Sequence, residues 1–148
     1  ALESTGAYAL CGEQFAAAHA GKLPYRALDD VGFGLVHVDD LAAGIVAVLD
    51  RGEVGRQYVL SGPTTTLAEA IEIAARVGGR KPPGLRLPTS LLRAIAPLGP
   101  VIGQPNLREV ISASAGVTYW ASAARAETEL GWRARDIETG FRDTFAIA

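Results

Sequence analysis

The sequence contains little of several things on which common protein classes depend. Its 148 residues include one cysteine, Cys11, and no methionine. A single cysteine excludes an intrachain disulfide and a metal site built from several thiolates. No apolar run approaches the roughly 20 residues of a transmembrane helix, and no basic start with an apolar run marks a secretory signal. These absences predict a cytoplasmic protein with no membrane partner.

Charge of either sign is also scarce. The formal net charge is -2, and charged residues make up 20% of the chain. Between Ile73 and Arg108 there are basic residues but no acidic ones, and such a stretch can receive a phosphate. Aromatic side chains that could stack on bases are missing from it. We therefore interpret it as a solvated basic face and expect no nucleic-acid partner.

The motifs of a complete dinucleotide-dependent enzyme are missing as well. None of the 17 glycines falls into a G-x-G-x-x-G turn, which lets a pyrophosphate reach a helix amino terminus. No tyrosine is followed four residues later by the lysine that would lower its pKa for proton transfer. No serine lies in the strained elbow of a hydrolase. We therefore predict no catalytic and no cofactor-binding residue in this chain.

His37, Asp39 and Asp40 form a cluster of residue types that can bind a metal, and two interpretations of this cluster are possible. On a strand, His37 and Asp39 would share a face and could begin a divalent metal site. The same residues fit a histidine at the end of a strand, followed by an aspartate that accepts hydrogen bonds from the first turn of a helix. We favour helix capping by Asp39 or Asp40 and predict no metal.

Hydrophobic patterns predict a mixed α/β fold, and 49% hydrophobic residues suffice for a core. Predicted helices cover 13–20, Asp39 or Asp40 to Gly52, Thr66 to Val77, Thr89 or Ser90 to Pro97, 106–112, 123–130 and a last segment from Asp136. Predicted strands cover 33–38, 57–60, 85–87 and 117–121. Leu41, Ile45, Val48 and Leu49 fall on one face of the second helix. Thr66 and Glu69 are spaced as a capping box.

Three stretches carry a family resemblance. They are LVHVDDLAAGIV at 35–46, GRQYVLSG at 55–62, and YWASAARAETELGW at 119–132 with IETGFRDT at 137–144. In this order they resemble the carboxyl-terminal part of the NAD-dependent epimerase/dehydratase family, within the extended short-chain dehydrogenases. Residues 6–12 resemble a degraded V-Y-G-P-G-D segment, which in the family closes a strand under the nicotinamide. The resemblance covers essentially the whole chain.

The resemblance implies that residues 1–148 are a single substrate-side fragment of an extended Rossmann-type short-chain dehydrogenase. Its fold would be α/β, with short strands and several helices, and the dinucleotide-binding half would be missing. Sugar-nucleotide epimerases carry phosphate-binding arginines near the positions of Phe33 and of Ala115–Val117 here. Their replacement favours the dihydroflavonol-reductase-like branch over enzymes of nucleotide sugars.

The function implied is the substrate-binding portion of an NAD(P)-dependent oxidoreductase or epimerase that acts on a small carbonyl or hydroxyl compound. NAD or NADP would bind in the full-length parent and not to this chain alone. Phe33, Tyr119 and Trp120 are the predicted substrate-binding residues, because aromatic rings give shape and apolar contact; packing in the core is their alternative role. A non-catalytic binding or regulatory module is the alternative function. Apolar faces left exposed in such a fragment predict a homodimer.

Overall fold

The computed structural model of the protein describes residues 7–98, residue 111 and residues 118–146. The helices are α1 (Ala7–His19), α2 (Val38–Arg51), α3 (Leu67–Val77), α4 (Thr89–Ile95), α5 (Ala124–Leu130) and α6 (Ile137–Ala146), with a 3-10 turn at Ala96–Leu98. The strands are β1 (Arg26–Ala27), β2 (Gly32–Gly34), β3 (Thr64–Thr66), β4 (Arg86–Leu87) and β5 (Thr118–Tyr119). The mixed α/β composition is confirmed. Within the described ranges, no helix is both long enough and apolar enough to cross a membrane.

The strands form two small sheets. β1 and β4 pair in parallel, and the other three strands form a sheet in the order β3-β2-β5. The chain divides into a first unit, Ala1–Gly32 with Thr66–Thr118, and a second unit, Phe33–Thr65 with Tyr119–Ala148. Each unit is therefore assembled from two stretches that are distant in sequence.

The packing of α1 against α3 forms the main core of the first unit. α3 buries one side almost completely, with Leu67, Ala70, Ile71, Ala74 and Ala75. α1 contributes Phe15 and Ala18. A Cβ on Gly78 would lie 2.1 Å from the carbonyl oxygen of His19, so this close approach requires glycine.

The predicted capping box of α3 is confirmed. The hydroxyl of Thr66 accepts a hydrogen bond from the backbone N–H of Glu69 at 3.2 Å. The carboxylate of Glu69 accepts one from the backbone N–H of Thr66 at 2.9 Å. Two donors that the helix leaves unpaired are thereby satisfied, and the helix ends at Val77 as the following glycines predict.

A buried cluster around Trp132 forms the core of the second unit. Ala47 of α2 and Ala126 and Leu130 of α5 pack with the indole. A Cβ on Gly44 would lie 2.8 Å from Trp132 Nε1, so the glycine lets the indole lie directly against α2. The predicted end of α5 at Gly131 is confirmed, since this residue has φ +63°, a conformation that glycine adopts without strain.

The buried side of α2 carries small residues, and Ile45 and Leu49 do not lie on it. α2 buries Gly44 and Ala47, whereas Ile45 is half-exposed and Leu49 is 80% exposed. The reason is that the bulky indole of Trp132 needs small residues opposite it. The large aliphatic residues therefore lie on the other side, where the outer face of α2 consists of Val38, Ile45, Val46 and Leu49.

None of the four predicted strands has its full predicted length. The strand predicted at 33–38 is confined to Gly32–Gly34, and α2 begins at Val38. No strand covers 57–60; Tyr58 and Leu60 instead pack against the Trp132 cluster. The strands predicted at 85–87 and 117–121 are present as β4 and β5, each of two residues.

Several helix starts also differ from their predictions. α4 begins at Thr89, so Pro88 occupies the N-cap and neither Thr89 nor Ser90 does; no side chain caps this helix. α1 begins at Ala7, before the predicted 13–20 segment, so residues 7–12 are helical and do not end a strand. The predicted helix at 106–112 lies outside the described residues apart from Ile111.

Candidate functional site

The amino end of α2 is built around a buried histidine. His37 is the N-cap, and its Nδ1 accepts a hydrogen bond from the backbone N–H of Asp39 at 3.3 Å. The predicted cap at Asp39 or Asp40 is therefore wrong, since the imidazole of His37, two residues before Asp39, satisfies this donor and the carboxylate of Asp40 is bound to Arg135.

Arg135 holds Asp40 through three hydrogen bonds. Its backbone N–H and its Nε donate to Oδ2, each at 2.9 Å, and its Nη2 donates to Oδ1 at 2.6 Å. A planar guanidinium and a carboxylate match in this geometry, which makes the pair stronger than a single contact. The loop after α5 is thereby fixed to the start of α2.

The same arginine reaches α6. Its Nη1 donates to Oδ2 of Asp143 at 2.5 Å. Trp132 adds a further bond, because its Nε1 donates to the backbone carbonyl of Asp40 at 2.7 Å. We call Asp40, Arg135 and Asp143 the Arg135 network; it connects α2, the loop before α6, and α6 itself.

The network keeps its groups charged. The hydrogen bonds from Arg135 hold the pKa of the Asp40 carboxyl below its usual range. Hydrogen bonds to Asp40 raise the pKa of the Arg135 guanidinium in return. The hydroxyl of Thr139 lowers the pKa of Asp136, which also accepts the Thr139 N–H at 2.9 Å and so begins α6 as predicted. These groups stay ionised at neutral pH, so they can hold the helices in position but are unsuited to proton transfer.

A small cavity of about 80 Å³ lies beside this network, within the second unit. Its walls come from the segment that leads into α2, from the loop before α6, and from one side of α6. The lining residues are Leu35, Val36, His37, Arg135, Asp136, Ile137, Gly140, Phe141 and Thr144. The lining is mainly apolar, with the polar groups of His37, Arg135, Asp136 and Thr144 among it.

The three predicted substrate residues lie elsewhere in the second unit. Phe33 is half-buried in β2. Tyr119 is 59% exposed and Trp120 is 62% exposed, so neither ring packs in the core. The role of both rings in substrate binding stays a prediction.

His37, Asp39 and Asp40 do not come together as ligands. Asp40 is paired with Arg135, while Nδ1 of His37 accepts a backbone donor. Among the described residues, no group of three or more histidine, cysteine, aspartate or glutamate side chains is placed to hold a metal ion. Cys11 is partly buried, and burial raises the pKa of its thiol, which does not favour a thiolate.

The first unit holds a separate ion cluster. Pairing of β1 with β4 sets Arg26 opposite Arg86, and two like charges in register are unfavourable. Asp29 lies against both, at 3.4 Å from Arg26 Nε and 2.8 Å from Arg86 Nε. Glu72 of α3 accepts a further bond from Arg26 at 2.6 Å. Two acids therefore balance two arginines, and the cluster fixes the strand pair to α3.

The chain is similar to parts of three solved proteins. It matches the crystal structure of gox2253 with 25% identity and a TM-score of 0.69, over 91% of this chain and 42% of that one. It matches RMD from Pseudomonas aeruginosa, solved with NADPH, with 17% identity and a TM-score of 0.59, over 95% and 41% of the respective chains. It matches UDP-glucose 4-epimerase from Bifidobacterium longum, solved with NAD+ and UDP, with 24% identity and a TM-score of 0.53, over 86% and 36%.

These likenesses define the class of fold. The chain has the α/β fold of part of a group of proteins that includes an NADPH-bound protein and an NAD+-bound epimerase. It spans less than half the length of each of the three. No family model matches the sequence, and no curated protein matches it significantly.

The sequence does not predict the structural roles of Arg135 and Trp132 in the second unit. Arg135 has no local signal, because its partner Asp40 is 95 positions away. Trp132 stands in the E-L-G-W motif, but the motif does not say that the indole lies against α2. Gly44 and Ala47, three positions apart on one side of α2, are the sequence signal that this side packs against a large side chain.

Proposed function

We propose that this chain is the substrate-side part of an NAD(P)-dependent oxidoreductase or epimerase. The observation that carries the proposal is the match of 86–95% of the chain to 36–42% of the three solved proteins. The sequence has no glycine-rich turn and no Tyr-x-x-x-Lys pair, which supports placing NAD or NADP and the proton transfer in another part of the parent.

The proposed substrate is a small carbonyl or hydroxyl compound, as in the dihydroflavonol-reductase-like branch, and the proposed parent is cytoplasmic. Phe33, Tyr119 and Trp120 contribute to its binding. The exposure of Tyr119 and Trp120 supports this role over core packing, because large aromatic surface in water is costly unless a ligand or a neighbouring part covers it. The Arg135 network positions the helices and does not take part in the chemistry.

The exposed apolar residues on the outer face of α2 support the proposal that this chain is part of a larger protein. Val38, Ile45, Val46 and Leu49 fall on one side of the helix and are at least half exposed. We propose that the remainder of the parent covers this face in the full-length protein. In the isolated chain, a second copy takes its place and gives a homodimer.

Leu49→Glu should therefore weaken self-association of the isolated chain, because it places a charge in the centre of the proposed interface. We expect the unchanged chain to sediment as a dimer and the variant as a folded monomer, with a melting temperature no higher than that of the dimer. Leu85→Glu is the matched control: Leu85 is also exposed but belongs to the first unit, so this variant should remain dimeric. A monodisperse monomer of the unchanged chain at all concentrations would contradict the prediction.

A non-catalytic binding or regulatory module is the second candidate, favoured by the same missing Tyr-x-x-x-Lys pair. Reading the encoding frame upstream of Ala1 separates the two, since only the enzyme account requires a glycine-rich turn and that pair there. The test of the first proposal on this chain is a calorimetric titration with NADH and NADPH. No binding is expected, and tight binding would contradict it.

A further inference from the structure

We propose that residues 57–60 are the edge of a sheet that a strand from the rest of the parent protein completes. The inference rests on the proposed function, because it takes this chain to be part of a larger protein, and it names the surface and the kind of partner. The segment belongs to the second unit and lies between α2 and β3. It includes neither the outer face of α2 nor the predicted substrate residues.

The first observation is that the side chains of this segment alternate between two environments. Tyr58 and Leu60 are half-buried and pack against the Trp132 cluster. Gln57 is exposed, and Val59 is 47% exposed. A period of two residues is typical of a strand with one covered face. Residues 57–60 therefore carry their side chains as a strand does, although they belong to neither of the two sheets formed by the described residues.

The second observation concerns the backbone of the same segment. Within the described part of the chain, the N–H and C=O groups of Tyr58, Val59 and Leu60 form no backbone hydrogen bond. Backbone donors and acceptors in a folded protein are almost always paired, either with the chain or with water. A row of such groups along an extended segment is what a sheet edge offers to a further strand.

The residues on either side of the segment indicate which edge faces outward. The carbonyl oxygen of Gln57 accepts a hydrogen bond from Arg125 Nη1 at 3.0 Å, and that of Pro63 accepts one from the N–H of Leu35 at 3.2 Å. In an extended chain, alternate residues present their polar backbone groups to the same edge. The edge of the odd-numbered residues therefore faces the chain itself, which leaves the even-numbered edge, with Tyr58 and Leu60, for a partner.

The composition of the segment favours pairing as well. Exposed edge strands usually carry lysine, proline or a bulge that prevents another strand from adding to them. No charged residue and no proline occurs from Gln57 to Gly62. Backbone groups recognise extended backbone and not particular side chains, so the partner is a strand.

The comparisons indicate the source of that strand. The chain corresponds to only 36–42% of each matched protein, so more than half of each of those proteins lies outside the match. We therefore assign the strand to the remainder of the parent. A second copy of this chain is the other source, and the experiment distinguishes the two.

The test is amide hydrogen exchange in the protein translated from the complete encoding frame, compared with the 148-residue chain. We expect the amides of Tyr58 and Leu60 to exchange at least about tenfold more slowly in the longer protein, because pairing closes them to water. Val54 lies fully exposed in the preceding turn and is the internal control, with the same rate in both proteins.

Leu60→Pro and Leu60→Ala form a matched pair of variants. Both lose the packing of Leu60 against the Trp132 cluster, but only proline also removes the N–H of residue 60. In the 148-residue chain, the difference in melting temperature between them measures the strain of the proline ring. In the longer protein this difference should widen by about 3 °C, the scale of one lost backbone hydrogen bond.

Equal exchange of Tyr58 and Leu60 in the two proteins, or an unchanged difference between the two variants, would overturn the proposal. Slow exchange in the 148-residue chain that depends on its concentration would assign the edge to a second copy and overturn the proposed source. A frame that adds no residues would do the same. Fast exchange in a longer protein that binds NADPH contradicts this proposal alone, whereas slow exchange in one that binds neither NADH nor NADPH contradicts the proposed function alone.

Discussion

Trp132→Ala is expected to lower the free energy of unfolding by about 4 kcal/mol, the range of large aromatic truncations in a core. Trp132 is 6% exposed and packs with Ala47, Ala126 and Leu130. Its removal would leave a cavity against α2 and would also strip the backbone carbonyl of Asp40 of its indole donor. Urea denaturation followed by circular dichroism measures the change.

Trp120→Ala is the matched control for that truncation. It removes the same side chain from a position where 62% of it faces solvent, so little packing is lost. We expect a change in unfolding free energy of about 0.5 kcal/mol or less. If the two variants were destabilised equally, the assignment of Trp132 to the core and Trp120 to the surface would be wrong.

Asp40→Ala is expected to cost about 2 kcal/mol of stability at neutral pH. Three hydrogen bonds from Arg135 would be lost, each of the charge-assisted kind, but part of that loss is screened because the pair is not fully buried. Asp39→Ala is the control, since this carboxylate is exposed and its backbone N–H still donates to His37. A loss in Asp39→Ala as large as in Asp40→Ala would contradict the account.

The same pair predicts how stability depends on pH. Arg135 lowers the pKa of Asp40 in the folded chain below its ordinary value of 3.8. The contribution of the ionised carboxylate is therefore complete above that ordinary value and is lost as the pH falls through the lowered one. Acid denaturation of the unchanged chain should be steeper in this range than that of Asp40→Asn, which has no carboxylate to protonate.

Local signals in the sequence determine the parts of the fold that could be predicted. The Thr66 and Glu69 pair specifies the start of α3, and Gly131 specifies the end of α5, because each residue satisfies or relaxes the backbone within one turn. These interactions need no partner from far along the chain. That is why the caps of α3 and the stop of α5 are present as predicted.

The errors arise where a distant residue decides the outcome. Aliphatic residues at helical spacing usually face a core, but Ile45 and Leu49 of α2 are exposed. Trp132, more than eighty positions later, instead selects the side of α2 that carries Gly44 and Ala47. A distant residue also explains why His37 and not Asp40 caps α2. Arg135 binds the Asp40 carboxylate, which therefore does not accept hydrogen bonds from the first turn of the helix.

The candidate site was predictable only in part. Phe33, Tyr119 and Trp120 can be selected from the sequence as aromatic residues, and their role in substrate binding stays a prediction. The cavity beside His37 was not predictable, because it depends on a glycine that packing does not require. Gly140 and His37 line the same cavity only because α6 lies close to the segment before α2.

The central claim is that this chain holds the substrate side of a parent enzyme and leaves the dinucleotide to another part. Isothermal titration of the 148-residue chain with NADPH and with NADH tests it most directly. The account predicts no heat of binding for either cofactor, because the chain has no glycine-rich turn to receive the pyrophosphate. Saturable binding of either one at micromolar concentration would contradict it.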